Sequence, residues 1–172
     1  MPRRRGFNLI EMLVIVAIVL AMAGVVVPVV SMRKLDDQWR RVDEDLAAIA
    51  SGVREYVRST RTFPTGHSGA TSYHFLTSAG APPKNNVFAS GPSTDLAKFL
   101  AGPDMAGDAW TGPYLRPDVG PDPWGNAYVV NVHGFFRSDE NVLVVCAGPN
   151  GRVDTPPAAT EAHGDDVVAL VR

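Results

Sequence analysis

Arg3-Arg4-Arg5-Gly6-Phe7-Asn8-Leu9-Ile10-Glu11-Met12 begins with three cations and a glycine, then passes directly into an apolar run that carries one carboxylate. After Glu11 no charge appears until Arg33, so residues 12–30 are long enough to cross a bilayer as a helix of about 20 residues. An ionisable group at mid-membrane costs about 2.5–3.5 kcal/mol and needs a reason. A secretory signal peptide would have a shorter apolar core ending in a small-x-small cleavage site. A plain single-span anchor would explain the hydrophobicity but not Glu11. Arg3, Arg4 and Arg5 favour a cytoplasmic N-terminus by the positive-inside tendency.

Outward from this stretch, the helical pattern continues past the apolar run. Leu35, Trp39, Val42, Leu46, Ile49, Val53 and Tyr56 recur at steps of four and three, which makes one apolar stripe on an α-helix. The other face carries mixed charges from Arg33 to Asp45, read as a solvated face whose exposed pairs are worth about 0–1 kcal/mol each. Read as one element from residue 8 to 59, the helix would extend on the order of 75 Å at about 1.5 Å per residue. Pro28 removes the helical partner of the Gly24 carbonyl, and Gly24 costs about 1 kcal/mol relative to alanine. Together they mark residues 24–28 as a weak point, tolerable where neighbouring helices cover the freed backbone.

The chain has 172 residues, which suits one domain on a stem, and a formal net charge of −2. Removal of the three leader arginines would leave it moderately acidic, which argues against nucleic acid as a partner. Its 16 glycines and 14 prolines are concentrated after Phe63, so the head is expected to be loop-rich. Cys146 is alone and lies in an apolar run, as a buried structural thiol would. Residues 127–132, 141–147 and 166–171 read as strands. The expected head is a small antiparallel sheet on the stem helix, with residues 62–121 as a long irregular connection. Within that connection, residues 94–100 read as a short helix and residues 68–92 as a surface insertion. The expected organisation is therefore α+β: a basic N-terminal segment (1–6), a membrane helix (7–30), an amphipathic stem (31–60) and a globular head (61–172).

Two motifs punctuate the head: Trp110-Thr111-Gly112-Pro113-Tyr114-Leu115 and Asp122-Pro123-Trp124-Gly125-Asn126-Ala127-Tyr128. Asp-Pro and Trp-Gly-Asn are turn formers, and the aromatic rings would wedge the loops onto the stem. This pair, together with the N-terminal arrangement, resembles the major pseudopilin of type II secretion, within the type IV pilin-like superfamily. Ala127 stands where the family usually has proline. The resemblance implies a type IV pilin-like fold and cleavage between Gly6 and Phe7 by a prepilin peptidase, with N-methylation of Phe7. The freed amine of Phe7 would then lie four residues before Glu11 on the same helical face. Amine and carboxylate could neutralise one another in an apolar core, within or between subunits, and the family uses this glutamate for entry into the filament. The weak point at Gly24 and Pro28 corresponds to a place where family members unwind locally on assembly.

The same resemblance implies Ca²⁺ in the loop of residues 148–164 and its flanks. Asn150, Asp154, Glu161, Asp165 and Asp166 supply hard oxygen there. In the family's pattern Asn150 takes an aspartate ligand's place, the carbonyl of Ala147 that of a backbone ligand, and Asp166 that of the aspartate opening the last strand. The implied partners are further copies of the chain in a helical filament, the prepilin peptidase, an inner-membrane assembly platform and minor pseudopilins. The implied location is the inner membrane and then a periplasmic pseudopilus. The four histidines are scattered without zinc spacing, and no P-loop, GxSxG or GxGxxG has a supporting context, so an enzyme is not expected. The alternatives are a type IV pilin of surface fibres and a membrane-anchored binding module that never polymerises.

Overall fold

The apolar stripe of the stem lies on a single α-helix, α1, running Leu9–Thr60. The computed structural model describes residues 8–65, 73–88, 91–103, 109–115 and 119–172, with the backbone alone for residues 23–32. Gly6, Phe7 and the leader lie outside the described residues, as do residues 68–72 and 89–90 of the expected insertion. The chain divides into two compact units, Met1–Arg40 and Arg41–Arg172, and α1 contributes to both.

In the first unit the helix starts after Asn8, whose carbonyl accepts the amides of Glu11 (3.0 Å) and Met12 (3.3 Å). The backbone is α-helical across Gly24 and Pro28. The expected solvated face is present where Arg40 meets Asp37 at 3.0 Å with both side chains largely exposed. Leu35, the first residue of the predicted stripe, belongs to this unit and is half exposed.

In the second unit the stripe is buried: Val42, Leu46, Ile49, Val53 and Tyr56 are all 2% exposed or less. The helix ends at Thr60, and Arg61 takes a left-handed conformation (φ 57°) while its amide bonds the Val57 carbonyl at 3.0 Å. That arrangement satisfies a carbonyl the last turn would otherwise leave open.

The remaining elements are β1 (Phe75–Thr77), β2 (Ser93–Asp95), α2 (Ala97–Leu100), β3 (Val129–Asn131), a 3₁₀ turn (His133–Phe135), β4 (Leu143–Cys146) and β5 (Val167–Leu170). The three C-terminal strands fall inside the spans read from the sequence. The sheet is larger than expected, with five strands in the order β2-β1-β3-β4-β5. It is also mixed, because β1 and β2 pair in parallel while the other pairs are antiparallel. Both extra strands come from residues 62–121, which therefore do not form a wholly irregular connection. They escaped notice because each has three residues, too few for an alternation to register. The short helix expected over residues 94–100 begins only at Ala97, since Ser93–Asp95 extends the sheet.

Both faces of the sheet are covered. On β4, Val144 and Cys146 join a cluster with the stem residues, while Leu143 and Val145 join a second cluster with Phe75, Phe88 and Val153. This is the two-residue period of a strand with apolar residues on both sides. Phe88 comes from the stretch read as a surface insertion, yet it is only 3% exposed. Burying such a side chain is worth about 1.5–3 kcal/mol, so this part of the insertion is core.

Candidate functional site

The first candidate site is the start of α1. Every large apolar residue from Leu9 to Met22 is 46–81% exposed. Glu11 is exposed in the first helical turn among these side chains. No face of this stretch is polar apart from Glu11, unlike the stem with its single stripe. Among the described residues no helix is long and apolar enough to cross a membrane. The side chains of residues 23–32, which complete the predicted span and include the weak point at Gly24 and Pro28, lie outside the described residues.

The two head motifs are architectural, as their turn chemistry implied. Gly52, about two turns before the end of α1, lets the first motif come close: a Cβ there would stand 2.9 Å from the Tyr114 carbonyl oxygen. The amides of Tyr114 (2.7 Å) and Leu115 (3.1 Å) bond the Leu100 carbonyl. Tyr114 packs edge-on against Tyr56 and Trp110, and Ser59 Oγ donates to its hydroxyl oxygen at 2.6 Å. Trp110 Nε1 donates to the Phe99 carbonyl at 3.1 Å.

In the second motif Asp122 is 3% exposed and organises its own turn. Its Oδ1 accepts the amides of Trp124 (3.0 Å) and Asn126 (2.8 Å). Its Oδ2 accepts Asn126 Nδ2 (3.4 Å) and the thiol of Cys146 (3.3 Å). Burial pushes the Cys146 thiol up to about 12, and the Asp122 carboxylate adds to that shift. Tyr128 donates its hydroxyl to Asp45 Oδ2 at 2.8 Å, tying the motif to the stem, and burial holds its phenol above the usual tyrosine range.

The second candidate site is the acidic loop between β4 and β5. Gly148 follows Ala147 with φ 61°, and a Cβ there would stand 2.3 Å from the Asp165 carbonyl oxygen, so only glycine fits this approach. The approach brings the two ends of the loop together. The amide of Asn150 donates to Asp165 Oδ2 at 3.0 Å, and its Nδ2 donates to Asp154 Oδ2 at 3.3 Å and to Asp165 Oδ1. Asp166 Oδ2 accepts the amides of Asp154 (2.8 Å) and Thr155 (2.7 Å). Asp166 is 6% exposed, and its Oδ1 is buried without a hydrogen-bond partner among the described residues. Burial holds its carboxyl above the usual range, opposed by the bonds from Thr155 and Asp154.

Asn150, Asp154, Asp165 and Asp166 are therefore joined in one network beside Ala147, while Glu161 is exposed. Among the described residues no three His, Cys, Asp or Glu side chains are grouped so as to hold a metal by themselves. Asn150 and a backbone carbonyl are needed to complete any ligand set.

Two participants carried no sequence signal. Thr155 is fully buried and its Oγ1 accepts the His163 amide at 3.0 Å, closing the loop from inside. Lys84 acts through its backbone, bonding the loop from a distant segment.

A family model described as "Type II secretion system (T2SS), protein G" matches residues 88–162, which contain both motifs and most of the acidic loop. A curated relative, the "Type II secretion system core protein G" of Escherichia coli (strain K12), is 24% identical over 156 residues, covering 89% of this chain and 87% of the relative. No solved structure gives a significant match. The family model, the relative aligned over most of its length and the paired loop motifs agree: the chain is similar to the protein G components of type II secretion.

Proposed function

We propose that this chain is a pseudopilin that polymerises into the periplasmic pseudopilus of type II secretion and serves it as a structural subunit, not as an enzyme. The observation that carries this reading is the contrast along α1: an exposed stretch apolar on all sides but for Glu11, then a stem whose one apolar stripe is buried under the sheet. A helix apolar all round belongs in a membrane or inside a bundle of helices. Residues 7–30 would serve both, first as the inner-membrane anchor and then as the filament core. Cleavage at Gly6–Phe7 and methylation of Phe7 would set an amine near Glu11, and the pair would be neutralised between packed subunits. The minor pseudopilins and the assembly platform are the partners this route requires, and the growing fibre would push folded proteins outward.

Ca²⁺ is the ion we assign to the acidic loop. The residues fit it: a buried carboxylate oxygen of Asp166 lacks a partner among the described residues, and the neighbouring donors are hard oxygens. Asp154, Asp165, Asp166, Asn150 and the Ala147 carbonyl would hold the ion. Bound there, it would cross-link the two ends of the loop and neutralise its aspartates.

Deletion in the native organism tests the main reading, with secretion of folded proteins and surface fibres scored in the same strain. Lost secretion with fibres intact supports a pseudopilus. Lost fibres with normal secretion would instead make the chain a type IV pilin of surface fibres.

A further inference from the structure

The stretch Ala81-Pro82-Pro83-Lys84 lies in the segment read as an insertion, ahead of residue 88 where the family match begins. Each end of it makes a two-sided backbone bridge. Ala81 receives and gives across the second motif: its amide bonds the Gly125 carbonyl (2.9 Å), and its carbonyl accepts the Ala127 amide (2.8 Å). Lys84 does the same across the acidic loop, its amide bonding the Gly151 carbonyl (2.8 Å) and its carbonyl accepting the Val153 amide (3.1 Å). Gly151 and Val153 flank Arg152, and these three residues are the whole of the chain between Asn150 and Asp154. The bridge therefore fixes the short peptide that spaces two of the candidate ligands.

The two residues between the bridges are prolines. They have fixed φ, offer no amide to compete for the same carbonyls, and make a stiff spacer. The far anchor is firm as well. Asn126 lies between Gly125 and Ala127, held by Asp122, and a Cβ on Gly151 would stand 3.0 Å from Asn126 Oδ1. Motif turn, proline spacer and acidic loop thus close into one ring, through backbone bridges at Ala81 and Lys84 and the side chain of Asn126 beside Gly151.

We propose that Ala81–Lys84 is a clamp that positions Asn150 and Asp154 opposite Asp165, holding the acidic loop ready for a cation. Lys84 is a positioning residue that acts through its peptide groups, and its side chain is not required. The metal part of the proposal rests on the calcium reading, whereas the ordering of the loop does not.

The test uses the full chain in detergent micelles and three variants. Lys84→Pro removes the amide that bonds Gly151. Lys84→Ala keeps the backbone and serves as the conservative control. The double variant Pro82→Gly/Pro83→Gly loosens the spacer and keeps every bond, so it preserves the test if Lys84→Pro does not fold. Amide exchange of residues 150–155 is measured without calcium, and binding of calcium ion alone is titrated by the shift of the melting midpoint.

Lys84→Pro is expected to speed exchange of residues 150–155 about tenfold and to weaken calcium binding about tenfold, the scale on which supporting partners act on metal ligands. The double variant should move both in the same direction, and Lys84→Ala should match the parent. A merely structural role would lower the metal-free melting midpoint while leaving the calcium dissociation constant in place, and that result would overturn the positioning claim. If the parent binds no calcium, the calcium reading fails by itself and exchange alone judges the clamp. Unchanged exchange in Lys84→Pro, or in the double variant if that one alone folds, would end it.

Discussion

Residues 9–22 and residues 42–56 belong to the same helix, yet they solve the hydrophobic problem in opposite ways. In the second stretch apolar side chains are confined to one stripe, and that stripe is covered by the protein's own sheet. In the first they surround the helix and are exposed. A one-sided pattern finds its cover within the chain. An all-round pattern leaves so much apolar area open that its cover must come from lipid or from other copies. One element thus combines a segment covered by the chain's own fold with one that is apolar and exposed, and the change from one pattern to the other falls within the charged stretch that begins at Arg33.

The largest expected effect that would sharpen this comparison is Glu11→Ala. The variant should be inserted and processed, keep the melting midpoint of the parent, and form almost no filaments by electron microscopy. Normal filaments would remove the assembly role given to Glu11. Next comes a matched pair of truncations, followed by chemical denaturation in detergent. Leu46→Ala should cost about 2–5 kcal/mol, because it empties a fully packed site. Leu13→Ala should stay within about 0.5 kcal/mol, as at other exposed positions. Equal costs would break the division of the helix into two parts.

Asp166→Ala should abolish the calcium-induced rise in melting midpoint, a rise corresponding to about 2.7 kcal/mol at a hundredfold excess over the dissociation constant. If the parent shows no rise, the ion is absent and the loop is held by its own hydrogen bonds. The smallest effect is at the stem–motif junction. Tyr128→Phe should cost about 1 kcal/mol by removing the bond to Asp45. It should also reduce the alkaline sensitivity of the fold. Burial first, and the Asp45 carboxylate next, hold the folded phenol above its usual range, so its stabilising contribution is complete below pH about 10. As pH rises further the unfolded chain loses the proton first, and stability falls. Melting from pH 9 to 11 should therefore show a shallower decline in the variant.

Much of this architecture was legible in the sequence because it is periodic or rests on turn chemistry. The stem stripe could be read residue by residue, and only Leu35 departed from it. The three C-terminal strands were legible from their β-branched runs, and the second motif loop from its Asp-Pro and Gly-Asn turns. What could not be read was pairing made by backbone alone. Ser93–Asp95 has no apolar alternation, and it joins the sheet through parallel hydrogen bonds to β1. Lys84 carried no signal, because a peptide group that bridges two distant loops leaves no mark on residue type. The acidic loop was half legible. Its oxygen-rich composition was plain, but the convergence of Asn150, Asp154 and Asp165 depends on the close pass of Gly148 under Asp165.

Cys146 carries one more consequence. Oxidation and disulfide exchange proceed through the thiolate, and burial pushes this thiol far above neutral pH, which disfavours the reactive form. The sulfur is fully buried and donates its proton to Asp122. The folded head thus shields this sulfur from oxidants and from other thiols. Capture of this sulfur by an alkylating reagent would therefore report unfolding of the head, a built-in reporter that needs no added label.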